Sequence, residues 1–463
     1  KIDMINHKFH DDIIRAYDIR GTYGKTLFNL DAEILGNVFG MTVGFNKTVN
    51  VCFDGRKSSL DLKESLINGL IDVGVNVNEI GLGPTPLMYF SCFHTKSDAG
   101  VMVTGSHNPK DHNGFKIVLN NAPFYGDDLK ELSKRAKKFS LPKTKKGIRK
   151  KLKIENNYLT RLFQDFKQKK KISIVWDAGN GSAGSIMKKM SKRIIGKKKI
   201  LYSEIDGNFP NHHPDPSDPK NLVDCVSQVT QNKFDLGIAF DGDGDRIGVV
   251  DNNGRIVSGD KLLLLYSMDL LSRKKSKIIG DVKCSKVFFD VVKKLGGDAI
   301  MSKTGHSHVK TNMKKFSADL GGEMSGHIFF AEKYFGYDDG LYAAIRLIDL
   351  LNNNKLKLSD LLDKIPNVYN TPEIRIDCED KKKFKIIEKI SLNLKKSKKK
   401  IIDIDGLRVS SDDGWWLLRA SNTQPVLVLR CESLSERGLK KQINSVKQEL
   451  KKINFSFSDK IFS

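Results

Sequence analysis

Ser106 stands in the stretch Val103-Thr104-Gly105-Ser106-His107-Asn108-Pro109-Lys110-Asp111-His112-Asn113-Gly114-Phe115-Lys116. The apolar run at 99–103 before it reads as a strand, and Gly105, Asn108, Pro109, Asn113 and Gly114 mark turns. Ser106 is therefore expected on a loop at a strand end, where side chains meet ligands. A hydrolase nucleophile elbow would need glycines two residues on either side, and Thr104 and Asn108 hold those places. Further on, Asp241-Gly242-Asp243-Gly244-Asp245-Arg246 follows a strand-like run at 234–240 and precedes a returning apolar run at 247–250. Three carboxylates spaced by two can turn their oxygens onto one point, and the glycines let the backbone fold tightly enough to do so. They repel one another unless a cation sits among them, and hard oxygen ligands suit Mg²⁺, Mn²⁺ or Ca²⁺. An EF-hand would require glycine where Arg246 stands and glutamate where Asn252 stands, so calcium sensing of that kind is excluded.

Other stretches offer groups for a polar or anionic ligand. In Gly321-Gly322-Glu323-Met324-Ser325-Gly326-His327, Glu323 and Ser325 alternate and can face one side. A carboxylate beside a hydroxyl suits a pair of vicinal sugar hydroxyls. Arg419-Ala420-Ser421-Asn422-Thr423-Gln424-Pro425 joins two apolar runs of a hairpin, and its guanidinium, hydroxyls, amide and turn N–H groups make an anion cradle. Arg20, close to Tyr17 near the N-terminus, has a planar guanidinium that can grip a phosphate with two bonds. Lys283 follows a strand end and His306 follows the turn at Gly305. Taken singly, each also reads as an ordinary surface or loop residue.

Taken together they carry a resemblance. Thr104-Gly105-Ser106-His107-Asn108-Pro109 with Asn113-Gly114-Phe115-Lys116 resembles the phosphoserine loop of the α-D-phosphohexomutases, the phosphomannomutase/phosphoglucomutase family. The aspartate, Glu323 and Arg419 stretches follow in that family's order, so the resemblance runs over nearly the whole chain. It implies that Ser106 carries a phosphoryl group that is handed to a hexose phosphate and recovered from its other end, through a hexose 1,6-bisphosphate. It also implies Mg²⁺ held by Asp241, Asp243, Asp245 and an oxygen on Ser106. Glu323 and Ser325 would bind the hexose O3 and O4. Arg419, Ser421, Asn422 and Thr423 would anchor the phosphate that does not react, and Tyr17 and Arg20 would help to hold the substrate near Ser106, with His306 also lining the substrate site.

Charge on the transferring group would be stabilised by Arg20, Arg246 and Lys283. One group must take a proton from the attacking oxygen; Lys116 is the first candidate and His327 the second. Glucose and mannose differ only at C2, so a grip on O3 and O4 separates them poorly. Met324 and Asn422-Thr423 look like the phosphomannomutase/phosphoglucomutase branch, while the phosphoglucosamine branch tends to Gln and Gly-Thr there. Mannose and glucose phosphates are thus the expected substrates, with glucosamine phosphate the alternative.

Three apolar runs position these loops: Val51-Cys52-Phe53-Asp54, Ile174-Val175-Trp176-Asp177 and Ile278-Ile279-Gly280-Asp281. Each ends in aspartate, then turn residues, then a helical pattern, as a buried strand feeding a helix does. The expected fold is α/β, with three similar α/β domains bearing mixed sheets and a smaller α+β fourth domain around a central cleft. The boundaries read as 1–150, 151–253, 254–366 and 367–463. The charged stretch 143–151 reads as a linker.

The totals agree with an enzyme of this kind. A chain of 463 residues with 39% hydrophobic content exceeds one core and suggests several domains. No apolar run approaches a membrane span and no signal-peptide layout opens the sequence, so a cytoplasmic protein is expected. Six cysteines are scattered singly, without zinc-ligand spacing. The net charge of +24 raises a rival reading, a polyanion-binding protein. The lysines, however, fall in separate runs with few aromatics and no nucleic-acid motif, so nucleic acid is not expected as a specific ligand. Monomer and dimer are equally open.

Overall fold

The computed structural model describes residues 4–397, 399–422 and 424–462. Its first three domains repeat one pattern. In the first, Thr48–Phe53 lies between the parallel strands Asn76–Leu82 and Ala99–Val103, and the latter turns back into antiparallel His112–Leu119. The second repeats this with Ile174–Asp177 between Lys198–Leu201 and Leu236–Phe240, which turns back into Ile247–Asp251. The third does so again with Lys277–Asp281 between Asp298–Ser302 and Leu320–Gly322, which turns back into Ile328–Phe330. The strands that carry the loops, Ala99–Val103 and Leu236–Phe240, are buried at every position, as strands of a sheet covered on both faces are.

The shared topology puts the Ser106 loop, the aspartate loop and the Glu323 loop at one equivalent place: the turn after the third strand, at its carboxyl end. Open sheets of this type bind ligands there. Each central strand also ends in a buried aspartate that braces local turns. Asp54 accepts from the Thr104 hydroxyl at 2.8 Å and from Gly105 N at 3.2 Å, while Asp281 accepts from Met324 N at 3.1 Å. Asp177 accepts from Gly179 N at 2.8 Å and pairs with His212 at 2.9 Å.

The fourth domain is antiparallel. Val426–Ser433 lies between Gly414–Ala420 and the short strands Tyr369–Asn370 and Ile374–Asp377, with Leu407–Ser411 and Lys400–Ile402 beyond. Trp416 and Leu418 enter its core, while Trp415 and Leu417 pack with Val282 of the third domain. Arg408 fastens that boundary: its guanidinium lies 3.7 Å from the Trp415 ring centre and donates to the Val282 and Cys284 carbonyls, both at 2.7 Å.

One expectation changes. The stretch 143–151 is structured in part, because Arg149–Lys151 adds an edge strand to Asn76–Leu82. Arg149 is drawn in by two carboxylates, donating to Glu64 at 2.7 and 2.8 Å and to Glu79 at 2.6 and 2.9 Å. Composition alone hid those partners, which lie far away in sequence. The region carries no helix long and apolar enough to cross a membrane, nor does any other described part of the chain.

The helices Asn29–Val43 and Ser59–Asp72 of the first domain pack closely through small residues. Asn37 donates to the Gly69 carbonyl at 2.8 Å, and a Cβ on Gly69 would stand 2.0 Å from the Glu33 carbonyl oxygen. Gly69→Ala is therefore expected to force the helices apart and to destabilise the first domain by about 1–3 kcal/mol. A lowered thermal midpoint would show it; an unchanged midpoint would contradict the crossing described.

Candidate active site

Ser106 follows its strand in a turn that the neighbouring strand end holds in shape. It is 2% exposed and has φ of 54°, a left-handed conformation that a serine adopts only where its surroundings impose it. The buried Arg56 guanidinium supplies much of that constraint, donating to the carbonyls of Ser106 at 2.9 Å, Asn108 at 2.7 Å and His112 at 3.1 Å. The Ser106 hydroxyl lies 3.2 Å from His107 Nδ1 and 3.5 Å from Asp241 Oδ2. The nucleophile loop of one domain and the aspartate loop of the next thus meet.

Asp241, Asp243 and Asp245 have no exposed surface, and one oxygen from each can be chosen so that all lie within 4.8 Å of one another. Gly242 lies so close to the serine loop that a Cβ there would stand 2.2 Å from the Ser106 carbonyl oxygen. Lys116 Nζ bridges Asp243 Oδ2 at 2.7 Å and Asp245 Oδ2 at 2.6 Å. Burial alone would lower the Lys116 pKa, yet the Asp243 and Asp245 charges outweigh it and hold it above the usual lysine value. The Thr85 hydroxyl donates to Asp243 Oδ2 at 2.5 Å, and the Arg246 backbone N–H to Asp241 Oδ1 at 3.1 Å.

Two buried oxygens, Asp243 Oδ1 and Asp245 Oδ1, have no hydrogen-bond partner among the described residues. Burial, followed by the charges of Asp243 and Asp245, pushes the Asp241 carboxyl well above the ordinary aspartate range. Unpartnered carboxylate oxygens and a suppressed ionisation both fit a set of donors made for a hard divalent cation.

Arg246 leads from this cluster into the third domain. Its Nε donates to His327 Nε2 at 3.0 Å, and the opposite ring nitrogen lies 3.0 Å from Asp338 Oδ2 and 3.7 Å from Asp245 Oδ1. His306 stacks on His327 with ring centres 5.6 Å apart; burial and then the Lys310 charge push its pKa well down, so it is neutral. Glu323 is buried and accepts from Gly305 N at 2.5 Å. Ser325 is half-buried two residues on.

Tyr17 is where three domains meet. Its hydroxyl donates to the Thr304 carbonyl at 2.5 Å and accepts from Asn422 Nδ2 at 2.9 Å. Arg20 is paired with Asp18 and donates to Asn108 Oδ1 at 3.2 Å, which ties it to the serine loop. The predicted residues nearest the fourth domain are engaged with other groups: Lys283 with Glu373 at 3.2 Å, and Arg419 with Asp405 at 3.2 Å. Ser421 Oγ accepts from Gln424 N at 3.2 Å, closing the hairpin turn. Thr423 lies outside the described residues.

Models of the phosphoglucomutase/phosphomannomutase family match all four parts of the chain: α/β/α domain I at residues 11–142, domain II at 156–254, domain III at 258–369 and the C-terminal domain at 373–449. The chain belongs to the phosphoglucomutase/phosphomannomutase family. It is 44% identical over 435 residues to a phosphomannomutase/phosphoglucomutase of Pseudomonas putida, covering 93% of this chain and 94% of that one. A phosphoglucomutase of Neisseria gonorrhoeae is 40% identical over 442 residues, covering 94% and 96%. Among solved structures, a phosphoglucomutase/phosphomannomutase family protein of Burkholderia thailandensis superposes with a TM-score of 0.88 at 40% identity, over 95% of this chain and 97% of that one.

Within this family member the sequence reading missed Asp54, Arg56, Thr85, Lys310 and Asp338. Asp54-Gly55-Arg56 carried a usable signal, a charged pair just past a buried strand that would need partners there. Thr85, Lys310 and Asp338 carried none, since each acts on a residue far away in sequence.

The raised Asp241 pKa gives a testable sign. Without a cation, the contribution of this group to stability is present below its ordinary value of 3.8 and is lost as pH rises through the raised folded-state value. Added Mg²⁺ should therefore raise the melting temperature little in acid and progressively more towards neutral and alkaline pH. A shift that is the same across the range would argue against Asp241 as a ligand.

Proposed function

We propose that this protein interconverts hexose 1-phosphate and hexose 6-phosphate, mannose and glucose being the sugars, through a phosphorylated Ser106. The observation that carries the reading is the 3.5 Å approach of the Ser106 hydroxyl to Asp241, across two domains and inside a buried, oxygen-lined cluster. The similarity to phosphomannomutase/phosphoglucomutase relatives over almost the full chain supports the same activity.

In the forward direction the Ser106 phosphoryl group passes to the free hydroxyl of a bound hexose phosphate. A sugar O–P bond forms as the serine O–P bond breaks, and the product is a hexose 1,6-bisphosphate. The bisphosphate turns over, and its other phosphoryl group returns to Ser106. A Mg²⁺ ion held by Asp241, Asp243 and Asp245 would supply charge neutralisation at the phosphoryl oxygens. The chain's own groups do the rest by positioning and electrostatics. Arg20 and Arg246 border the serine and aspartate loops and oppose the charge that develops on the moving group. Lys283 comes to it from the third domain.

Glu323, Ser325 and His306 line the sugar side. Arg419, Ser421, Asn422 and Thr423 hold the remote phosphate, with Tyr17 joining that loop to the first domain through Asn422. Lys116 is the proton shuttle: held protonated by Asp243 and Asp245, it gives a proton to the Ser106 oxygen as the serine O–P bond breaks and takes up the one that the attacking sugar hydroxyl releases.

Ser106→Ala is expected to abolish turnover while leaving the melting curve unchanged; an active variant would refute the mechanism. Lys116→Met should lower kcat by about 10²- to 10⁴-fold, the range of a lost acid–base group. A greater loss in His327→Gln than in Lys116→Met would reassign the shuttle to the histidine. Side-by-side assay of mannose, glucose and glucosamine 1-phosphates should give comparable kcat/KM for the first two and a lower value for the third. Preference for glucosamine phosphate would move the protein to that branch of activity.

A further inference from the structure

Asp338 is wholly buried beneath His327, outside the serine, aspartate, sugar and phosphate loops. It sits next to Asp339, the N-cap of the helix Gly340–Asn352, and its backbone bridges to Phe329, so its backbone is fixed from both directions. One carboxylate oxygen lies 3.0 Å from His327 Nδ1 and the other 3.0 Å from Lys310 Nζ, close charge contacts rather than aligned hydrogen bonds. Lys310, itself buried, also donates to the Tyr89 hydroxyl of the first domain at 2.8 Å.

The ring on top of this pair is read by its other side. His327 Nε2 accepts from Arg246 Nε at 3.0 Å, and a ring nitrogen that accepts carries no proton. In the neutral ring the proton must then lie on Nδ1, facing Asp338. The opposite tautomer would set an N–H against the Arg246 N–H and a bare nitrogen against a carboxylate. Asp245, His327 and Asp338 also offer ligand atoms within 4.8 Å of one another, as a second cation cluster would. A metal there would need the Nδ1 lone pair, which the Arg246 contact denies it.

We propose that Asp338, its charge balanced by Lys310, is a positioning residue that fixes His327 as the Nδ1–H tautomer and through it holds the Arg246 guanidinium on the phosphoryl-transfer site. Burial by itself would raise the Asp338 pKa; the Lys310 charge and then the His327 contact outweigh it and lower it. A carboxylate that orients a histidine, which in turn orients the working group, is a recurrent arrangement in catalysis.

The test uses full-length protein with Mg²⁺, labelled with ¹⁵N-histidine, and long-range ¹H–¹⁵N spectra in which His327 is assigned by its loss in His327→Gln. The expected wild-type pattern is a proton on Nδ1 and none on Nε2. A ring protonated on Nε2, or on both nitrogens, overturns the proposal without any variant having to fold. In Asp338→Asn the amide can donate to Nδ1, so the proton should move to Nε2. Then kcat should fall about 10- to 100-fold, as on loss of other hydrogen-bond partners of functional histidines, with KM for the hexose phosphate nearly unchanged. That loss should not add to the loss in His327→Gln. An unchanged tautomer with unchanged kcat per folded molecule, or fully additive losses, would mean that Asp338 serves the fold alone. The kinetic arm rests on the mutase reading. The spectra do not, so a wild-type protein without mutase activity would sink that reading and leave the tautomer result standing.

Discussion

Three carboxylates buried within five residues of chain would drive one another apart, and much of the surrounding structure opposes that repulsion. Lys116 reaches in from the first domain to bridge two of them, Thr85 donates to Asp243, and the Arg246 backbone ties down Asp241. Even so, two oxygens have no hydrogen-bond partner among the described residues, and burial with the neighbouring carboxylate charges raises the Asp241 pKa. The cluster offers oxygens that suit a hard cation, and the loop from the first domain is pressed against it through a glycine that admits no side chain. Domain packing and the meeting of the Ser106 and aspartate loops are therefore one problem with one solution.

The repeat of strand order explains how a single chain assembles so many functional loops at one place. Each of three sheets delivers its loop from the same turn, after the third strand, with an aspartate at the end of the central strand as a brace. What differs is the content of the turn: a serine, a trio of aspartates, a glutamate with a serine. Chemistry was varied on a constant support. The fourth domain departs from that pattern and closes the site through a hairpin, fastened to the third by Arg408 and Glu432 rather than by strand pairing.

Much of this was legible from residues alone. Ala99–Val103 and Ile174–Asp177 occur as read, because buried parallel strands leave unbroken apolar runs. The clustering of Asp241, Asp243 and Asp245 was legible in their spacing, since charges so close in sequence demand a partner. What stayed hidden was whatever depends on contact between distant segments. Arg149 looked like linker because Glu64 and Glu79 are supplied by a neighbouring helix and strand. Lys310 and Asp338 looked like ordinary charged residues because a local sequence window cannot show that they are buried against each other, with Asp338 beside the His327 ring. The lysine abundance was equally opaque. Four of these lysines, at 63, 116, 310 and 383, lie in the interior as counter-charges, which composition cannot distinguish from those on the surface.

The near-complete enclosure of Ser106 bears on what the enzyme avoids doing. A phosphate ester beside a metal ion and several cations is also what a phosphatase attacks, and its usual fate in contact with solvent is hydrolysis. Here Ser106 is 2% exposed behind the Arg56-bound loop, so an ester formed on its hydroxyl would give bulk water little access while the hydroxyl of a bound sugar can be brought in place of it. Seclusion of the donor lets the protein stay loaded between turnovers, and separates a transferase from a slow scavenger of its own phosphate.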